Sequence, residues 1–103
     1  MLIHLEKNQD FKSLVKEGVT LVDFYATRCG PCKMLAPQLE QLAEKRQDIN
    51  VIKIDVDQHE ELAAEFNIRV VPTLILFKDG ANINVSSGFK TAAALENLVN
   101  TAF

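Results

Sequence analysis

Seven consecutive residues, Val19 to Tyr25, are apolar on both faces of an extended chain apart from one aspartate, Asp23. A strand of that kind belongs at the centre of a sheet covered on both sides. Val51 to Val56 reads as a second central strand, and Leu2 to Leu5 as a short first one. Between them the apolar positions change to helical spacing. Phe11, Leu14 and Val15 form one face of a helix capped by Asn8 or Asp10 and ended by Gly18, while Cys32 to Gln47 forms a longer helix with Leu35, Leu39, Leu42 and Ala43 inward. Pro37 lies inside that helix, where a kink is expected. Further on come a short helix from Glu60 to Phe66 and a strand from Thr73 to Phe77. Asp79-Gly80 is a turn signal, and Ile83 to Ser86 pairs back as a hairpin. Thr91 caps a last helix through Leu95, Leu98 and Val99. The order is βαβαβ followed by αββα. It predicts an α/β fold: a mixed β-sheet, parallel in its first half, flanked by helices on both faces.

With 103 residues, 48% of them hydrophobic, the chain suits one domain over residues 1–103 with a core needing no metal or structural disulfide. A net charge of −3 argues against nucleic acid as a partner. No stretch reaches the roughly 18 apolar residues of a membrane span. No basic leader with an apolar core opens the chain, which points to the cytoplasm.

Redox compartment changes the meaning of the two cysteines. Cys29-Gly30-Pro31-Cys32 stands where the central strand gives way to the long helix. In a reducing compartment a C-x-x-C pair is redox-active or metal-binding rather than structural. A structural zinc site needs four ligands. The pair supplies two, and the only histidines, His4 and His59, stand at unrelated points, with His59 read as an exposed helix-start residue. A site shared across a dimer is the one metal reading left.

The chain resembles the thioredoxin family. The resemblance rests on Val22-Asp23-Phe24, Cys29-Gly30-Pro31-Cys32-Lys33, Ala36-Pro37, Lys53-Ile54-Asp55-Val56-Asp57, Ile68-Arg69, Val71-Pro72-Thr73, Phe77-Lys78-Asp79-Gly80 and Gly88, in the family's order across nearly the whole chain. It implies the thioredoxin fold and a thiol-disulfide oxidoreductase that reduces protein disulfides. It implies no bound cofactor beyond the Cys29–Cys32 disulfide and NADPH used only indirectly through a thioredoxin reductase; nothing in the sequence demands more than a monomer. There are departures. Arg28 stands where tryptophan usually precedes the first cysteine, Tyr25 where tryptophan is also common, and Val70 where glycine is frequent. All three fall on the expected substrate face and bear on partner range and redox potential.

Chemistry assigns roles within that frame. Cys29, at a helix N-terminus, is the nucleophile, because unpaired N–H groups and the helix dipole favour its thiolate. Cys32 is the resolving thiol, more buried and less reactive. Gly30 and Pro31 set the turn, proline being suited to the first helical turn. Asp23 is raised in pKa by burial and accepts the proton of Cys32 as that thiol attacks, through water. The alternative is a carboxylate satisfied by a backbone group or a lysine. Lys53, on the neighbouring strand, pairs with and tunes Asp23, unless it is exposed at an edge. From the residues alone Pro72 is a trans proline opening a strand; the resemblance makes it the family's cis-proline, with the Val71 backbone free to pair with substrate. Val71, Pro72, Thr73 and Gly88 then form a shallow docking patch that Phe89 extends. Arg28 favours the Cys29 thiolate or reads the carboxylate of a small thiol, or else is simply solvated. Two further functions stay open: a low-molecular-weight-thiol-linked oxidoreductase using Arg28, and a non-catalytic binding module on the same scaffold.

Overall fold

β2, Val19–Tyr25, lies in the middle of the sheet and fixes what surrounds it. The computed structural model describes residues 1–103. β2 is flanked by β3 (Asn50–Asp55), parallel to it, and by β4 (Thr73–Lys78), antiparallel. β1 (Leu2–His4) runs parallel to the far side of β3, and β5 (Ala81–Ser87) antiparallel to β4, giving the order β1-β3-β2-β4-β5. The helices are α1 (Phe11–Val15), α2 (Gly30–Lys45), α3 (Glu60–Glu65) and α4 (Ala92–Asn100).

The pleat of β2 sorts its side chains between two cores. Val19 and Leu21 pack with Leu35, Leu39 and Leu42 of α2 and with Leu95 and Val99 of α4. Val22 and Phe24 pack on the other face with Phe11 and Val15 of α1, and with Leu62 and Phe66 at α3. That second face holds a cluster of four phenylalanines. Phe11, Phe66 and Phe77 meet edge to face at 5.5–5.7 Å, and Phe24 lies 5.9 Å from Phe66, spacings at which aromatic pairs attract beyond simple area burial. A sheet with helices on both faces is therefore present as expected.

Boundaries differ from the expectation where burial is a poor guide. α2 begins at Gly30 rather than Cys32 and runs through Pro37 without a break. β5 is longer than expected, starting at Ala81, and carries a bulge opposite Leu76/Phe77. It is an edge strand, held by backbone pairing to β4 with no residue fully buried. Asp10 precedes α1 but its side chain makes no cap; it accepts instead from the Ser13 hydroxyl at 2.7 Å. Asp79 and Gly80 both take positive φ, 49° and 85°, as the tight hairpin requires. The Asp79 carboxylate accepts from the Gly18 N–H at 2.8 Å, and its own N–H donates to the Gly18 carbonyl at 2.9 Å. This locks the hairpin turn against the loop that feeds β2. Thr91 caps α4 as expected, its hydroxyl accepting from Ala94 N–H at 3.2 Å.

Candidate active site

Cys29 ends the loop after β2 in an extended conformation, φ −112° and ψ 113°, and is the N-cap of α2. Its carbonyl accepts from Lys33 N–H at 3.1 Å, the first bond of the helix. Its Sγ faces the N–H of Cys32 at 3.2 Å, so one of the four orphan donors of the helix points at the sulfur. Gly30 and Pro31 occupy the first turn, where the missing proline N–H has no partner to lose. Cys29 and Cys32 are joined in a disulfide with a Cα–Cα separation of 5.2 Å. Cys29 is half-buried, whereas Cys32 is 3% exposed. Attack from solvent thus reaches Cys29.

Across from Cys29 runs the segment before β4. The Val71–Pro72 bond is cis, not the trans bond that the residues alone suggest. The carbonyl oxygen of Val71 lies 3.7 Å from Cys29 Sγ, a contact that becomes a hydrogen bond only when Cys29 carries a proton. Pro72 and Thr73 are buried and Val71 half-buried. The Thr73 hydroxyl donates to Val70 C=O at 2.6 Å. The N–H of Gly88, whose φ of 92° only glycine adopts easily, donates to Pro72 C=O at 3.0 Å. Val71, Pro72, Thr73 and Gly88 are thus held together beside the disulfide, and Phe89 next to Gly88 is exposed.

Beneath α2 the sheet carries buried charge. Alternation along β2 sends Asp23 to the side of Leu21, the face that packs on α2. Asp23 is fully buried, and neither carboxylate oxygen has a hydrogen-bond partner. No backbone group or lysine hydrogen-bonds to it; Lys53 acts on it through charge alone. Loss of hydration, partly offset by the positive charge of Lys53, pushes its pKa up from 3.8 to about 6. Lys53 is its register partner on β3 and is itself buried, 8% exposed, so it is not an edge lysine. It does not ion-pair with Asp23; its ammonium lies over the Tyr25 ring, 4.6 Å from the centroid, a cation–π contact. Tyr25 is raised in pKa by burial first and then by Asp55 and Asp23. A cleft of about 230 Å³ is lined by Tyr25, Ala26, Thr27, Cys32, Lys33, Ala36 and Lys53; Asp23 lies outside its lining. It has room for water molecules between Cys32 and the Lys53 side of the sheet.

Nothing gathers three histidine, cysteine, aspartate or glutamate side chains as metal ligands. His4 is exposed, and His59 is half-buried rather than exposed, with Nε2 3.0 Å from the Leu5 carbonyl.

The thioredoxin family model matches residues 2–101. The chain belongs to the thioredoxin family. It is 45% identical over 101 residues to the thioredoxin of Bacillus subtilis, covering 97% of each chain. Its fold superposes with a TM-score of 0.90 on a thioredoxin variant from Halobacterium salinarum, at 38% identity over 98% of this chain and 89% of that one. The oxidised thioredoxin of Plasmodium falciparum gives 0.86 at 29% identity, covering 98% and 97%. The protein is thus a thioredoxin-type thiol-disulfide oxidoreductase. Cys29 and Cys32 are its redox-active pair, and the family works through that disulfide with no bound cofactor.

Within a thioredoxin frame Arg28 stands out: it is exposed and makes no hydrogen bond or ion pair with any other side chain. Sequence reasoning missed Tyr25 as the platform for Lys53. It also missed Gln38, whose side-chain oxygen accepts from Ala92 N–H at 2.7 Å and ties α2 to the start of α4. No local signal marks either, since both depend on contacts between distant segments.

Proposed function

We propose that the chain acts as one thioredoxin-like domain over residues 1–103, a monomer in the cytoplasm, reducing protein disulfides and itself reduced by an NADPH-dependent thioredoxin reductase. The observation that carries the assignment of roles is the unequal burial of two bonded sulfurs above an unpartnered buried carboxylate.

The Cys29 thiolate attacks one sulfur of the substrate disulfide. The S–S bond of the substrate breaks, a Cys29–substrate bond forms, and the first substrate sulfur leaves as a thiolate that takes a proton from water. The Cys32 thiol then gives its proton to Asp23 through intervening water, and the Cys32 thiolate attacks Cys29 Sγ. The second substrate sulfur departs, and two electrons have passed to the substrate as Cys29–Cys32 closes. The raised pKa of Asp23, about 6, suits a base that must be ionised at neutral pH yet hold a proton transiently. Lys53 keeps that value from climbing further. The backbone of Val71, beside Cys29 at the open end of the β4 segment, pairs with an extended substrate chain. Pro72, Thr73 and Gly88 hold it in place.

The test is to trap the intermediate. Reduced Cys32→Ser protein mixed with a protein disulfide is expected to accumulate a stable covalent adduct through Cys29, seen by mass and released by dithiothreitol. No adduct, with wild-type protein unable to reduce the same substrate, would overturn the roles and restore the binding-module reading.

A further inference from the structure

The charges of this thioredoxin-like chain are unevenly placed. Three segments converge on the disulfide: residues 26–38, residues 66–73 and residues 87–94. Their convergence is fixed by the Val71 carbonyl against Cys29, the Gly88 N–H on Pro72, and Ala92 N–H on Gln38. Together they carry Arg28, Lys33, Arg69 and Lys90 and no aspartate or glutamate at all. The rest of the chain holds the other seven basic residues and all fourteen acidic ones. Arg28, Lys33 and Arg69 are exposed and Lys90 half-buried, and none of the four forms an ion pair. The same segments expose Met34, Val70 and Phe89, 61%, 58% and 42% accessible. At the same end of the sheet the exposed carboxylates Asp57, Glu60 and Glu61 follow β3 and line a separate cleft with Lys7.

Resting on the oxidoreductase reading above, we infer that this cationic, part-apolar arc selects disulfides set in acidic protein segments, with Arg28 the specificity-determining residue beside the nucleophile. The rest of the chain carries twice as many acidic as basic residues, so the rim both attracts an acidic partner and orients its disulfide toward Cys29. Tryptophan at position 28 would give an apolar contact blind to charge; arginine gives a donor fork suited to carboxylates. Substrates bearing lysine or arginine beside the disulfide meet four unpaired like charges and are disfavoured.

The experiment uses the reduced full chain in single turnover against three peptides that share one disulfide and differ only in flanking residues: glutamate, glutamine or lysine. Attack is followed by acid quench, alkylation and mass. At low salt the glutamate peptide is expected to react at least about tenfold faster than the lysine peptide. The gap should close towards 1 M salt, where screening acts within about 3 Å. It should also narrow several-fold in Arg28→Gln/Lys90→Gln, whose fold is checked by circular dichroism. Equal rates for the three peptides at low salt, or a gap indifferent to salt or to the double variant, would overturn the inference. Oxidised glutathione reacting as fast as the glutamate peptide would overturn its protein-segment half and reassign the arc to a small anionic thiol. Failure of all three peptides, the neutral one included, would strike the oxidoreductase reading instead.

Discussion

The two faces of β2 are built from one seven-residue strand and are used in opposite ways. On one side Val22 and Phe24 join three other phenylalanines in a packed apolar cluster. On the other, two residues along from Leu21, Asp23 is sealed without a hydrogen-bond partner next to a buried lysine. The first face stabilises the fold. The second gives stability up at one position and gains a carboxylate whose proton affinity lies near neutrality. The difference shows why an aspartate in a central strand is informative: burying it unpaired opposes folding, which is what supports the role in proton transfer proposed for it.

The sharpest way to separate the faces is to remove the sulfur that the charged one serves. Cys29→Ser is expected to abolish disulfide reduction entirely while unfolding close to reduced wild type in denaturant. Residual turnover in an insulin-precipitation assay would contradict the assignment. On the opposite face, Phe24→Ala should lower stability by about 3–5 kcal/mol, measured by urea unfolding, while the reaction per folded molecule changes little. A comparable loss in rate with stability intact would reverse the comparison.

Asp23→Asn should move stability the other way. Folding raises the pKa of this group from 3.8 to about 6, so the folded state disfavours the ionised form. The penalty is absent below pH 3.8, grows between there and about 6, and is complete above it. Relative to the Asn variant, wild type is therefore expected to lose about 2.5 kcal/mol between pH 4 and pH 8, read from paired denaturation curves. A constant difference across that range would mean that Asp23 titrates normally. Smaller still is Thr20→Val. The Thr20 hydroxyl is buried without a partner, and removing it is expected to add about 1 kcal/mol. At the rim, Arg28→Trp should raise the Cys29 pKa by roughly half a pH unit or less, the scale of an exposed charge pair. The pH profile of alkylation of the reduced protein checks it, and an unmoved profile would confine Arg28 to partner selection.

Most of the architecture can be read from the chain because local and long-range signals agree. The apolar run of β2, the 3.6-residue spacing of Leu35, Leu39 and Leu42, the Asp79-Gly80 turn and the Thr91 cap each lead to the element found. The cysteine site is legible for the same reason, its spacing and its place at a strand–helix junction being local. What escaped depends on tertiary register or on an edge. Lys53 is legible as the neighbour of Asp23 on the next strand, but its place over the Tyr25 ring emerges only from the folded side chains. His59 meets Leu5 across 54 positions of sequence. Ala81 and Asn82 join β5 through their pairing with β4 beyond a bulge, and both are exposed, so burial does not mark them as strand. The cis bond before Pro72 was visible only through the family resemblance, because its neighbours on the chain do not encode it.

The contrast between the faces comes to rest on whether Asp23 takes the proton of Cys32. Rapid-quench kinetics of wild type and Asp23→Asn against one peptide disulfide, from pH 5 to 8, resolves attack by Cys29 from release by Cys32. The account predicts that attack is nearly unchanged in the variant, that release slows by at least about tenfold, and that the wild-type inflection of release near the Asp23 pKa of about 6 disappears. Equal slowing of both steps, or an inflection that survives the substitution, would contradict it.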